Sequence, residues 1–159
     1  MGEAPGTPDP GGQVGQGWFA YSQAGAPPIL DATIDSSSLH VIRARVRCCA
    51  EAAGLPGDRI EDAVLAIHEL AANVVRHGGG TGRLRAWPPA DVLRFQVDSG
   101  GRPPFDGAHD GQAGLEALPS IAGHGLWVVE RITDQMQSRT GPGGTSVVIV
   151  FYLSPVKPA

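Results

Sequence analysis

The stretch "HELAANVVRHGGG", residues 68–80, sets polar residues Glu69, Asn73 and His77 four apart and then ends in three glycines. Read upstream, Ile60, Val64, Ile67, Ala71 and Val74 recur at helical spacing, which predicts an amphipathic helix beginning near Gly57 or Asp58. At about 100° per residue, Glu69, Asn73 and His77, with Arg76 beside them, fall on the opposite arc of that helix. One face packs and the other is free for chemistry. Gly78 is a good helix stop, and Gly79 and Gly80 either form a loop or bring the backbone close to a ligand.

The segments on either side complete an α+β pattern. "ILDATID" alternates Leu30, Ala32 and Ile34 with Asp31, Thr33 and Asp35, the period of a half-buried strand. "SSSLHVIRARVRCCAEAAG" changes period: Leu39, Ile42, Val46 and Ala50 recur at helical spacing behind a serine N-cap, and Gly54 ends the run. Downstream, "GRLRAW" and "VLRFQVDS" read as strands joined across Pro88 and Pro89; Leu93, Phe95 and Val97 alternate with Arg94 and Gln96 up to Asp98. Residues 99–122 are rich in glycine and proline and long for a connection, as expected of a functional loop or lid. "GHGLWVVERITDQ" then starts with glycines and continues with Leu126, Val129 and Ile132 on one helical face. "QMQSRTGPGGTSVVIVFYL" closes the chain as a hairpin with a GPGG turn.

The chain has 159 residues, enough for one ordinary domain with a single core. Residues 1–28 hold seven of the 23 glycines and five of the 14 prolines, which predicts a flexible tail. Within it "GWFAYS" is either a short strand packed on the domain or a segment for a partner. The domain is expected over residues 29–154, with a short tail at 155–159. A formal net charge of −4 gives no basic footprint for direct nucleic-acid binding. No run of apolar residues is long enough to cross a membrane, and the N-terminus has neither a basic start nor an apolar signal core. The only cysteines, Cys48 and Cys49, are adjacent, a poor geometry for an unstrained disulfide, so a cytoplasmic location is expected.

Singly, each polar motif has an ordinary structural explanation; their order is informative. A helix carrying E-x-x-x-N precedes a strand ending in Asp98 and Gly100, a Gly-rich stretch, a G-x-G at a helix start, and "GT" opening the last strand. That order resembles the ATP-binding domain of the GHKL superfamily, the Bergerat fold shared by gyrase, sensor histidine kinases and MutL. Within it, "HELAANVVRHGG", "GHGLWVVERITDQ" and "GTSVVIVFYL" look most like the anti-sigma-factor serine/threonine kinases of partner-switching systems, the RsbW and SpoIIAB type. The resemblance implies a two-layer α/β sandwich with a mixed, mainly antiparallel sheet and helices on one face.

The same resemblance implies roles for individual residues. Glu69 matches the glutamate that acts as general base on the group attacking the γ-phosphate of ATP, and Asn73 matches the asparagine that holds Mg²⁺ against the phosphates. The spacing agrees, since i and i+4 place a carboxylate and a carboxamide on one helical face. Arg76 and His77, one turn on, are placed to touch phosphate or ribose, and His77 serves equally as a helix C-terminal cap. Asp98 matches the aspartate that accepts a hydrogen bond from the adenine amino group, with Gly100 letting the backbone pass close to the base. Here the pattern departs from the family: Arg102 fills the position of the second glycine of D-x-G-x-G, with an extra Gly101 before it. Gly123 and Gly125 match glycines whose backbone amides meet the phosphates, with His124 between them as a backbone position and Leu126 following. Thr145 matches the threonine near adenine.

The function implied is an ATP-dependent serine/threonine protein kinase that phosphorylates an anti-anti-sigma partner of the STAS type and so controls a sigma factor. A homodimer is implied too. The alternative is an ATP-binding module that sequesters a regulator with little or no transfer, favoured by a lid whose only cation is Arg102. The detached ATPase domain of a histidine kinase is weaker: His40 lies inside the first domain helix, and the tail cannot supply a phospho-accepting helix pair.

Overall fold

The computed structural model describes residues 27–89, 91–100, 121–141 and 143–154, and the backbone alone of residues 121–125. The expected aromatic segment near the N-terminus, the lid with Arg102, and the tail at 155–159 lie outside the described residues.

Five strands and three helices are built as the periodicities require. Strand β1 (Leu30–Ile34) buries Leu30, Ala32 and Ile34 and exposes the residues between them. Helix α1 (Leu39–Ala53) buries Ile42, Val46, Cys49 and Ala50 and ends at Gly54 in the left-handed conformation. Its predicted serine cap takes a different form. Ser38 lies at the N-cap position, but its hydroxyl accepts the Asp35 amide at 2.9 Å, while the Asp35 carboxylate accepts the amide of Ser37. Asp35 and Ser38 thus fix the turn entering the helix rather than its first free amides.

Helix α2 (Gly57–His77) leads into β2 (Gly82–Trp87) and β3 (Val92–Ser99). Helix α3 (Ile121–Ile132) is followed by β4 (Gln135–Gly141) and β5 (Gly144–Tyr152). The strand order is β1-β2-β3-β5-β4, and each neighbouring pair is antiparallel. The expected mixed sheet is therefore antiparallel throughout the described residues, and connectivity explains the difference. Passage through α3 leaves β3 and β4 running the same way, as a strand-helix-strand unit does, but β5 inserts between them and pairs antiparallel with both.

All three helices lie on one face, with α2 in the middle, packed against α1 on one side and α3 on the other. Beneath them Ile34, Ile67, Leu70, Leu84, Phe95, Val97, Ile149 and Phe151 form the core, with the Phe95 and Phe151 rings edge to face at 6.2 Å. Arg59 at the start of α2 closes the sheet edge. It donates to the Ile132 carbonyl at 2.8 Å, pairs with Asp62 at 2.6 Å and Asp134 at 3.1 Å, and lies over the Phe151 ring.

The opposite sheet face is polar yet deeply buried at its centre. Arg94 is fully buried there, its guanidinium 4.7 Å from the centre of the Trp87 ring, and it donates to Gln96 at 2.7 Å. Val148 and Val150 form a small separate apolar cluster with Val92 and Tyr152 on the same side.

Candidate functional site

The second half of α2 carries the candidate site. Glu69 is half-buried and has no hydrogen-bond or ion-pair partner among the described residues. One turn later Asn73 is 2% exposed, and its carboxamide Nδ2 is buried with no hydrogen-bond partner. Leaving such a group unpaired costs on the order of 1–3 kcal/mol, and a ligand or an ordered water that bonds it removes that cost. The expectation of a freely exposed polar arc is corrected here. Because α1 and α3 flank α2, its second half is buried on most sides, including Ala66, Leu70, Ala72 and Asn73. Arg76 and His77, at the end of the helix, are exposed.

The triple glycine has a definite structural role. The amides of Gly78 and Gly80 both donate to the Val74 carbonyl, at 2.9 and 3.2 Å, and Gly79 and Gly80 adopt φ of 86° and 88°, which side-chain-bearing residues rarely take. A Cβ on Gly78 would stand 3.0 Å from the Val74 Cα and 3.1 Å from the Ser99 Cβ. Gly78 thus lets the end of α2 settle directly against the end of β3.

At that junction stand Ser99 and Thr145, paired across β3 and β5. They are 4% and 3% exposed, and they continue the helix-facing sets Phe95, Val97 and Val147, Ile149. The Ser99 Oγ is buried without a partner, while the Thr145 hydroxyl lies 3.4 Å from that of Thr140. The neighbouring Gly144, at φ 119°, passes so close to β3 that a Cβ would fall 1.9 Å from the Ser99 carbonyl oxygen.

Asp98 is not brought to this group. It belongs to the other alternating set and points to the far face of the sheet, where it accepts hydrogen bonds from Arg85 at 2.6 Å, Gln96 at 3.0 Å and the Ser146 hydroxyl. Burial pushes its pKa up, but the bonds from Ser146, Gln96 and Arg85 outweigh burial and hold the carboxyl below its ordinary value. The alternation of Leu93, Phe95 and Val97 contained this outcome, since continuing it by one step selects Ser99. Gly100 is exposed, with nothing within 4 Å of where its Cβ would be.

Gly123, His124 and Gly125 lie within helix α3 (Ile121–Ile132), where the sequence pattern predicts a glycine-rich loop leading into a helix. The side chain of His124 lies outside the description. Leu126 and Val129 anchor the helix in the core at 4% and 0% exposure. No group of three or more His, Cys, Asp or Glu side chains suited to a metal occurs among the described residues. No helix among them is long and apolar enough to cross a membrane.

An antiparallel sheet under three helices, with a buried unpartnered hydroxyl where α2 meets the end of β3, defines the class of two-layer α+β domain that the sequence resembles. The family model of the histidine kinase-like ATPase domain matches residues 32–151, and the chain belongs to that family. Among solved structures it is similar to the RsbU and RsbW domains of Rv1364c from Mycobacterium tuberculosis, with 25% identity and a TM-score of 0.57. That match covers 84% of this chain and 34% of the other, so the chain spans about a third of its relative. No curated protein matches it.

Proposed function

We propose that this chain is a cytoplasmic, ATP-binding anti-sigma regulator that transfers the γ-phosphate of ATP to a serine or threonine of an anti-anti-sigma partner. The observation that carries the reading is the pair on α2: Glu69, a half-buried carboxylate with no cation beside it among the described residues, one turn from Asn73, whose buried Nδ2 has no partner among them. The family membership supports ATP as the ligand, and the likeness to a chain with an RsbW domain supports the regulatory role.

The residues fit a nucleotide with its metal. Asn73 and Ser99 each offer a buried polar atom with no partner among the described residues, the state expected of a site that a ligand completes. The unpartnered Nδ2 of Asn73 is a donor and suits a phosphate oxygen, while the amide oxygen of the same side chain would hold Mg²⁺ together with the phosphates. ATP supplies the transferable phosphoryl group. Glu69 takes the proton of the attacking hydroxyl, and a carboxylate not committed to an ion pair is free to do so. Arg76 and His77 stand at the exposed end of the same helix, where phosphate or ribose can meet them. The motif match assigns the phosphates to the segment Gly123, His124, Gly125 and Leu126, which is carried on α3.

The test is transfer from γ-labelled ATP to proteins recovered by pull-down. Wild type should bind a labelled ATP analogue with Mg²⁺ and label one recovered partner, and Glu69→Gln should keep the binding and lose the labelling. Undetectable nucleotide binding by wild type refutes the reading. Binding without transfer would favour the passive sequestering module.

A further inference from the structure

We infer that the base of the bound nucleotide is read by the hydroxyls of Ser99 and Thr145, and not by the carboxylate of Asp98. The inference rests on the nucleotide-binding reading above and adds which purines the site accepts. Its ground is the strand itself. Consecutive residues of β3 face opposite sides of the sheet, so Asp98 and Ser99 cannot both look toward the helices.

Asp98 is committed elsewhere. Three side chains, Arg85, Gln96 and Ser146, bond its two oxygens on the far face. Turning it toward α2 would break all of those bonds and shift β3 by one residue against both neighbours, undoing the pairs Ser99 with Thr145 and Ser99 with Gly82. Gly144 holds that register, because its close passage to the Ser99 carbonyl leaves no room for a slipped side chain. Ser99, by contrast, is buried on the helix side with an Oγ that has no partner among the described residues, beside Gly78 and across from Thr145. The one-residue offset also gives a structural counterpart to the irregular "DSGGR" at residues 98–102: the polar residue at the site is the second of the run.

The consequence is chemical. An ionised carboxylate only accepts hydrogen bonds, so it favours the amino group of adenine and opposes the carbonyl oxygen of guanine. A hydroxyl donates or accepts, and two of them adapt to either purine. A site reading its base through Ser99 and Thr145 therefore accepts ATP and GTP with similar affinity.

The test is displacement of a fluorescent ATP analogue from the full chain by unlabelled ATP and GTP. Wild type should bind the two within about tenfold of each other. Ser99→Ala should weaken both by about five- to tenfold, and Ser99→Thr, which keeps the hydroxyl, should hold both closer to wild type than Ser99→Ala does. Asp98→Asn should leave both affinities within about threefold of wild type, since it touches only the far face. Circular dichroism of each variant reports its folding, and the wild-type ATP to GTP ratio needs no variant at all. A wild-type preference for ATP of about a hundredfold or more, lost in Asp98→Asn and untouched in Ser99→Ala, overturns the inference while leaving nucleotide binding standing. Absence of any nucleotide binding overturns the proposed function instead, and this inference with it.

Discussion

The unpaired carboxamide of Asn73 predicts a protein that becomes more stable when its site is destroyed. Leucine has the branched shape of asparagine, with methyl groups in place of the amide atoms, so Asn73→Leu removes a polar group that is 2% exposed and has an unpartnered Nδ2. A buried unsatisfied group costs about 1–3 kcal/mol. Some of the gain is lost to the larger leucine, because overpacking a tight site costs about 1–3 kcal/mol in unfavourable cases. Ala72, Val74 and Leu70 surround the position along the helix and are themselves buried, so a net gain near the low end, about 1 kcal/mol, is expected. For a domain of this size that corresponds to a rise in Tm of about 3–5 °C without ligand. Saturating ATP and Mg²⁺ reverse the order. At a hundred times Kd the ligand stabilises wild type by about 2.7 kcal/mol and should stabilise the variant by little or nothing. Thermal unfolding followed by circular dichroism, with and without nucleotide, measures both effects. A ligand-free variant clearly less stable than wild type would show that the carboxamide is bonded in the free protein, and the argument from an unsatisfied group would fail.

Two further predictions concern the frame around the site. Gly144→Ala puts a Cβ 1.9 Å from the Ser99 carbonyl oxygen at a φ of 119°, so urea denaturation should show a loss of more than about 2 kcal/mol; a wild-type midpoint would mean that β5 does not approach β3 as described. Asp98 has a folded pKa depressed below its unfolded value, so its contribution to stability is complete above about pH 4 and is lost as pH falls through the folded value. Unfolding free energies measured from pH 6 down to pH 2.5 should therefore decline less steeply in Asp98→Asn than in wild type, and identical slopes would remove the hydrogen-bonded carboxylate from the account.

What the sequence revealed follows from which interactions are local. The alternation of Leu30, Ala32 and Ile34 and the helical repeat of Ile42, Val46 and Ala50 each state a period within a few residues, and the observed burial follows them closely. The α2 wheel was legible only in part, since Ile60, Val64, Ile67 and Val74 show which arc meets the sheet but not that α1 and α3 close the flanks. That flanking distinguishes an exposed Asn73 from a buried and unsatisfied one, and it is a fact of tertiary arrangement. Asp98 shows the converse: the alternating period is present in the chain, while the D-x-G motif marks the charged residue instead of its neighbour. Strand parity is a steric property of every residue in β3, whereas a carboxylate is informative only on the face where a ligand can meet it. Where the two conflict, parity decides, and it places Ser99 and Thr145 on the helix-covered side of the sheet, with Asp98 bonded among Arg85, Gln96 and Ser146 on the other.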